Sequence, residues 1–587
     1  MAGSGRRKIL LTLPPAAGAG LVLAGCWSAH LALSTRDHLE AVRDGLFRLR
    51  ATMTSGDAGR MSAAIADARA HAAEARRLTS GPAWWTVARL PVVGDAATTM
   101  RGLAVSAAEL TGVLADVQRA GAPFLTMRKR SLGDMRRLLA DLDAAAPVLT
   151  DAASRLGHAS AVLAATPADT GAGSLNQARN TALREIDGLR ARLGDAATGA
   201  ALLPPMLGHT GERRYFLAFQ TNAEARGTGG LVGAFGLLTA RHGKIRVTGL
   251  SANTGLAVSS AAVADHGPAY LGRYGPSATK MLSISNLSPH FPYAAVTWTG
   301  LWEREAHQRL DGALAIDPVG MAGLLEVIGP VSLPGGEAVT SANVVDLTER
   351  AAYARYSDPM ERKRFLITIA EAVAKAIPRT SATPSRILPV LTRMAGERRI
   401  QIWSRRDVEE SRLAGTPLGG VLPERQGPYA GLVVNNSAGG KLDYYLEREV
   451  DYRLGPCRDG TRATRVRIRL TNAVPGGPLP GYVTGRLDTP SHPPAVGSNR
   501  SWVSLYASVG SRLSEARIDG ERTRMIEEVE RSHPVYSAVL ELGPRRSRTI
   551  ELDLVEPDAG GAPSVPVQPL VRPQRVGVVV DPHGCAS

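Results

Sequence analysis

The chain has 587 residues, too many for one hydrophobic core, and its 44% apolar and 21% charged content excludes a disordered or fibrous chain and predicts several folded units. A formal net charge of +15, carried almost wholly by arginine, favours anionic polymers or lipid headgroups as partners without naming one. Scattered histidines, with neither His-Glu-x-x-His nor paired Cys-x-x-Cys, identify no metal or cofactor.

The N-terminus reads as an anchor. Arg6, Arg7 and Lys8 precede an apolar run from Ile9 to Leu33, which as a helix would span about 37 Å, and the basic cluster before it places the rest of the chain outside a cell membrane. Leu23-Ala24-Gly25-Cys26 also matches a lipobox, so a lipidated Cys26 is the alternative; the continuation through Trp27, Leu31 and Leu33 favours a spanning helix. From Arg36 the sequence turns alanine-rich, with Leu39, Val42, Leu46, Leu49 and Met53 at spacings of three and four, a coiled-coil-like seam. Similar periods recur to Leu193, with breaks at Ser80-Gly81-Pro82, Leu90-Pro91, Ala122-Pro123 and Thr166 to Ser174, and Leu203-Pro204-Pro205 closes what reads as a long helical bundle or stalk.

A strand, a polar glycine-rich turn and a second strand follow between Arg213 and Ile245, a hairpin whose crest carries Asn222, Glu224 and Arg226 before Gly227, Gly229 and Gly230. Those glycines would let backbone amides approach an anion, and a structural turn needs them equally. Strands at Ile245 to Leu250 and Ala313 to Ile316, and helices at Pro318 to Val327, through Tyr353 after the lead-in Thr340-Ser341-Ala342-Asn343, and from Asp358 to Ile377, predict a mixed α/β core. After about residue 430 alternating strands dominate, and a β-sandwich is the simplest closure. The expected fold is thus a multi-domain α+β chain: anchor (1–35), helical bundle (36–205), mixed α/β core (206–430) and C-terminal β-sandwich (431–587). Cys457 and Cys585 form a candidate disulfide.

Ser277-Ala278-Thr279-Lys280 has Ser-x-x-Lys spacing and Ser341-Ala342-Asn343 could partner it, but no Lys-Thr-Gly follows. No Walker or dinucleotide fingerprint occurs, and no nucleic-acid partner is expected. Arg355, Arg362 and Arg364 cluster at the start of the helix after Asp358, where guanidinium groups and a helix N-terminus together suit phosphate; a solvated face balanced by Asp358 and Glu361 is the competing reading.

Asn222-Ala223-Glu224-Ala225-Arg226 with the glycines after it, Asn286-Leu287-Ser288-Pro289-His290-Phe291-Pro292, Ile316-Asp317-Pro318, Ile328-Gly329-Pro330-Val331 and Asp358 to Leu366, in that order, resemble the bacterial family known as domain of unknown function 4012. Glycine stands at 227 where that family commonly has proline. The core is more remotely similar to the LytR-CpsA-Psr phosphotransferases, which move glycopolymers from polyprenyl-pyrophosphate carriers. That resemblance implies Arg226, Arg355, Arg362 and Arg364 as pyrophosphate ligands, with Glu224 or Asp358 holding a divalent ion such as magnesium or orienting an acceptor, and Asn222 as a further polar or metal-orienting candidate. The Arg-Asp element of those enzymes would fall near Leu250 to Leu256, where this chain has Ser-Ala-Asn-Thr-Gly. Two functions follow as expectations: a membrane-anchored envelope protein binding an anionic cell-wall polymer, a polyprenyl phosphate lipid or a partner protein, and, as the alternative, a phosphotransferase-like enzyme.

Overall fold

Alanine at every third or fourth position lets helices approach closely, and the computed structural model builds the first part of the chain from such helices. It describes residues 15–55, 58–127, 135–377, 380, 382 and 384–581. They fall into two compact units, one made of residues up to 130 with 136–205, the other of 131–135 with 206–587.

The first unit contains α1 (Pro15–Ser55), α2 (Ala58–Leu78), the short α3 (Pro82–Val87), α4 (Gly94–Met127), α5 (Met135–Ala164) and α6 (Gly173–Met206). Val42 and Leu49 of α1 and Ile65, Ala68, Ala72 and Ala75 of α2 are buried, and Gly45 admits the Ala68 methyl so closely that a Cβ at 45 would lie 3.1 Å from it. Val113, Ala152, Leu156, Leu163, Ile186 and Leu193 form the core shared by α4, α5 and α6. The break expected at Ala122-Pro123 does not occur, since α4 carries Pro123 inside it and runs on to Met127.

The anchor expectation is corrected here. No helix among the described residues is long and apolar enough to cross a membrane, which overturns the transmembrane anchor and the single-pass cell-membrane placement derived from it. Past Leu33, α1 continues without interruption through Arg36, Asp37 and His38, so charged residues enter the same helix directly after the apolar stretch. Cys26 stands within this helix. Arg6, Arg7, Lys8 and the start of the apolar run lie outside the described residues.

The second unit opens with β1 (Arg213–Arg226), β2 (Gly229–Arg241) and β3 (Lys244–Ala252), followed by α7 (Gly267–Tyr274), α8 (Phe291–Ala306), β4 (Gly312–Ile316), α9 (Pro318–Ile328) and the small pair β5 (Val331–Ser332) and β6 (Ala338–Val339). Next come α10 (Val344–Asp346), a π turn over Leu347–Ala351, α11 (Ala352–Arg355), α12 (Pro359–Ala376), α13 (Pro384–Gly396), β7 (Ile400–Ser404) and α14 (Asp407–Ala414). Strand order is β3-β2-β1-β4-β7, with β4 parallel to β1 and the other pairings antiparallel. Alternation along β1 sorts its side chains between two cores. Phe216 and Ala218 pack with Phe291, Trp298 and Leu301 of α8, while Leu217 and Phe219 pack on Met321 of α9, Ile369 and Val373 of α12 and Met394 of α13.

Beyond these lie β8 (Ala430–Asn436), β9 (Leu446–Arg458), β10 (Thr461–Asn472), the one-turn α15 (Gly481–Thr484), β11 (Asn499–Ala507), β12 (Arg512–Ile518), β13 (Glu521–Arg522), β14 (Ile526–Glu530), β15 (His533–Leu542), β16 (Ser547–Pro557) and β17 (Gln574–Val580). They form a six-stranded sheet, β13-β12-β16-β10-β9-β17, and a four-stranded one, β14-β15-β11-β8. The expectation of a separate C-terminal sandwich is overturned. The core these sheets share includes Ala225 of the hairpin crest, and they belong to the same compact unit as the mixed core. Long-range polar bonds seal this union: Asn222 Nδ2 donates to the Pro569 carbonyl (2.8 Å), Gln568 Nε2 to the Arg226 carbonyl (2.6 Å), Ser288 Oγ to Glu530 (2.5 Å) and Arg273 to Ser504 Oγ (2.8 Å). Cys457 is disulfide-bonded; Cys585, the partner expected for it, lies outside the described residues.

Candidate functional site

The hairpin crest departs from a regular ladder. Thr221 pairs with Leu231 and Ala225 with Gly230, so β1 spends four residues where β2 spends one, and Asn222, Ala223 and Glu224 bulge out of register. A bulge leaves amides that need acceptors. Glu349, set in the π turn, supplies both its oxygens: it accepts from Asn222 N (3.1 Å), Ala223 N (2.7 Å) and Thr221 Oγ1 (2.8 Å). Asp443 accepts from Ala225 N (2.8 Å), and also from Asn436 and Asn499 side chains at 2.7 Å each. The group cradled by the crest is therefore a carboxyl of the protein itself. Burial pushes the Glu349 carboxyl up to about 7 against its three hydrogen bonds, and burial likewise raises Asp443.

The turn beyond the crest explains glycine at 227. The stretch from Asn286 to Ser288 presses on it, and a Cβ at 227 would lie 2.2 Å from the Leu287 carbonyl oxygen. Asn286 Nδ2 donates to Thr228 Oγ1 and to the Gly230 carbonyl, both at 2.8 Å, which fastens the turn to that stretch.

The crest side chains form a closed charge network. Arg226 donates to Glu224 (2.7 Å), to the Ser283 carbonyl (3.1 Å) and to the Ala225 carbonyl (2.8 Å), and Lys441 Nζ meets the other Glu224 oxygen. All three side chains are buried. Burial works to raise the Glu224 carboxyl, but Lys441 and Arg226 outweigh it and hold it below the usual carboxylate range; Glu224 in turn keeps the buried Lys441 ammonium above its ordinary value.

Arg362 is buried as deeply, by different means. Its guanidinium lies 3.7 Å from the Tyr482 ring centroid and 5.4 Å from that of Tyr353, the two rings stack at 5.6 Å, and Nη1 donates to the Tyr356 carbonyl (3.0 Å). No carboxylate among the described residues lies within ion-pair distance of it. Lys441, 5.9 Å from the Tyr482 ring, links this aromatic patch to the crest network. The structure thus connects Glu224, Arg226 and Arg362 through Lys441 and Tyr482.

The remaining sequence candidates are held elsewhere. Arg355 pairs with Glu337 (2.8 Å) at the surface, Arg364 is exposed, and Asp358 caps α12 by accepting from Met360 N (2.6 Å). Asn222 spends its amide on Pro569. Ser277 sits exposed on a 3-10 turn, Pro276–Thr279, rather than on an α-helix that would set Lys280 one turn away. Among the described residues no group of three or more His, Cys, Asp or Glu is placed to hold a metal ion. Sequence reasoning missed Glu349, Lys441, Asp443 and Tyr482; the one signal present was a lysine and an aspartate embedded among apolar and aromatic residues in Gly440-Lys441-Leu442-Asp443-Tyr444.

No curated protein matches the chain. A family model does: residues 210–353, which contain the hairpin, the Asn286 stretch, the π turn with Glu349 and Tyr353, match the one described as protein of unknown function (DUF4012), and this segment, about a quarter of the chain, is a DUF4012 domain.

Proposed function

We propose that this protein binds a phosphate-bearing anionic partner, as a glycopolymer or a polyprenyl phosphate carrier would present it, and that Arg362 is the cation the anion meets. The observation that carries this reading is an arginine only 2% exposed whose charge is offset by aromatic faces and one carbonyl rather than by a carboxylate. Aromatic faces weaken a cation's field without neutralising it, so an anion gains more here than at a paired arginine. Tyr482, 47% exposed, covers the guanidinium and would swing aside to admit a phosphate, and the N-terminus of α12 adds its dipole. Phosphoryl transfer has less support, because Glu224, one of two groups that could orient an acceptor, is locked between Arg226 and Lys441, and Asp358, the other, caps α12. Titration calorimetry of the full chain with inorganic pyrophosphate, an anionic glycopolymer and a polyprenyl phosphate tests the reading. Binding by at least one of them that falls about tenfold or more in Arg362→Ala supports it; equal binding by a folded variant, or no binding at all, overturns it.

A further inference from the structure

His290 belongs to the stretch Asn286 to Pro292 but takes no part in fastening the turn at Gly227. It stands at the N-cap of α8, a helix that starts with no side-chain cap and no acidic residue in its first turn. The residue is 5% exposed, and its Nδ1 accepts from Leu422 N (3.1 Å). That bond fixes the tautomer: the ring proton sits on Nε2, and no acceptor for it stands among the described residues. Burial, and then the charges of Arg531 and Arg398, push His290 down to about 2, so the ring is neutral.

Two cations thus lie near an N–H that lacks an acceptor, and they differ in what they have left to give. Arg531 is spent, donating to the Leu422 carbonyl (3.0 Å) and to Glu424 (2.7 Å). Arg398 uses one N–H, on the Pro289 carbonyl next to His290 (3.3 Å), and no carboxylate among the described residues lies within ion-pair distance of it. The nearby carboxylates of Glu397 and Asp317 go to Arg399 instead, at 3.5 and 2.8 Å. Tyr429, whose charge would offset Arg398, is pushed up by burial to about 12 and stays neutral. Arg398 and Tyr293, whose ring is 4.6 Å from that of His290, are partly exposed, which leaves the site open to solvent.

We infer that Arg398 and His290 form a second anion site, built from other residues than Arg362, and that it takes a carboxylate. The Arg398 guanidinium and the His290 Nε2–H donate to the carboxylate oxygens at the start of α8, where the helix dipole favours negative charge. The class follows from charge. One positive charge here is uncompensated and one carboxylate neutralises it, whereas a phosphate dianion would carry excess negative charge into a partly buried place.

Ligand-observed NMR on the full chain with acetate and with glucuronate, each from about 0.1 to 50 mM, tests the site. Millimolar binding of at least one is expected: acetate, with or without glucuronate, reads a bare carboxylate, and glucuronate alone an acidic sugar. Arg398→Asn removes the cation with a residue that tolerates the φ of 56° at this position, so it should keep the melting temperature and weaken binding about tenfold or more. His290→Asn offers Leu422 N an acceptor in the place of Nδ1 but deletes the Nε2–H, and it too should weaken binding. Arg362→Ala should leave affinity within about twofold, so the result stands apart from the phosphate reading. Binding of neither probe, a folded Arg398→Asn or His290→Asn chain that binds as the wild type does, or loss of binding in Arg362→Ala overturns the proposal.

Discussion

Arg226 and Arg362 are buried to the same degree, 5% and 2% exposed, and belong to one connected cluster, but they are stabilised in opposite ways. Around the crest every charge has its counter-charge or its carbonyl: Arg226 and Lys441 share Glu224, and the bulged amides take Glu349 and Asp443. At the start of α12 the positive charge rests on two tyrosine faces. A buried cation satisfied by a carboxylate has little to offer a ligand, because the ligand would have to displace an ion pair already made in a medium of low dielectric. A cation held by π faces keeps most of its attraction for an anion. The crest thus reads as the joint that welds the hairpin to the C-terminal sheets, and the α12 start as the place where binding is physically cheap.

The largest expected effect comes from breaking the joint. Lys441→Met removes a cation from the Glu224 carboxylate deep in the protein and is expected to cost about 3 to 5 kcal/mol in urea unfolding, the scale for orphaning one member of a buried pair. Lys441→Met combined with Glu224→Gln removes the orphaned charge and should recover part of that loss. A cost below about 1 kcal/mol for Lys441→Met would mean that Arg226 alone satisfies Glu224, and the crest would no longer contrast with Arg362.

The second test uses protons. Glu349 is raised from its ordinary 4.5 to about 7, so between those values the folded protein holds a proton that the unfolded chain has released. Its contribution to stability is fully present below about pH 4.5 and is lost as pH rises through 7, a change of about 3 kcal/mol at most. Glu349→Gln deletes this slope. The difference between wild-type and variant unfolding free energies, followed from pH 4.5 to 8, should therefore change steadily up to about pH 7 and then level off. A difference independent of pH would show that the carboxyl under the crest is ionised throughout, as the crest's hydrogen bonds alone would favour.

Local patterns of a few residues are legible in the sequence. Asp317 and Asp358, each followed by proline, announce helix starts, and each accepts from an amide two or three residues on, Gly320 N at 2.7 Å and Met360 N at 2.6 Å. β1 follows from its apolar run ahead of a polar, glycine-rich turn, and the paired strands after residue 430 from period-two patterning. Glu349 could not be found that way, because its partners lie 126 to 128 residues away and exist only because β1 bulges, which no periodicity encodes. The same limit hid the fusion of the late strands to the core, carried by contacts such as Asn222 to Pro569 across 347 residues. The anchor failed for another reason: counting apolar letters as far as Leu33 does not show that the same helix runs on through Arg36, Asp37 and His38.

The smallest effects sharpen the comparison most. Arg362→Ala removes a desolvated cation–π contact and is expected to cost about 1 to 2 kcal/mol, nearly independent of salt because the group is buried. Arg355 makes the opposite case within the same segment: its pair with Glu337 is 43% and 38% exposed, and its guanidinium lies 5.8 Å from the Phe365 ring. Water screens that pair and both side chains give up rotamers to make it, so Arg355→Ala should cost less than about 1 kcal/mol and less still at 1 M salt. Pyrophosphate affinity then separates the two arginines. If the anion meets the cation that lacks a carboxylate, Arg355→Ala leaves affinity within about twofold, while Arg362→Ala lowers it about tenfold or more. Equal losses in both variants would move the anion to the exposed side of the α12 start, where charge pattern rather than burial decides, and availability of charge would cease to distinguish Arg362 from the paired arginines of this protein.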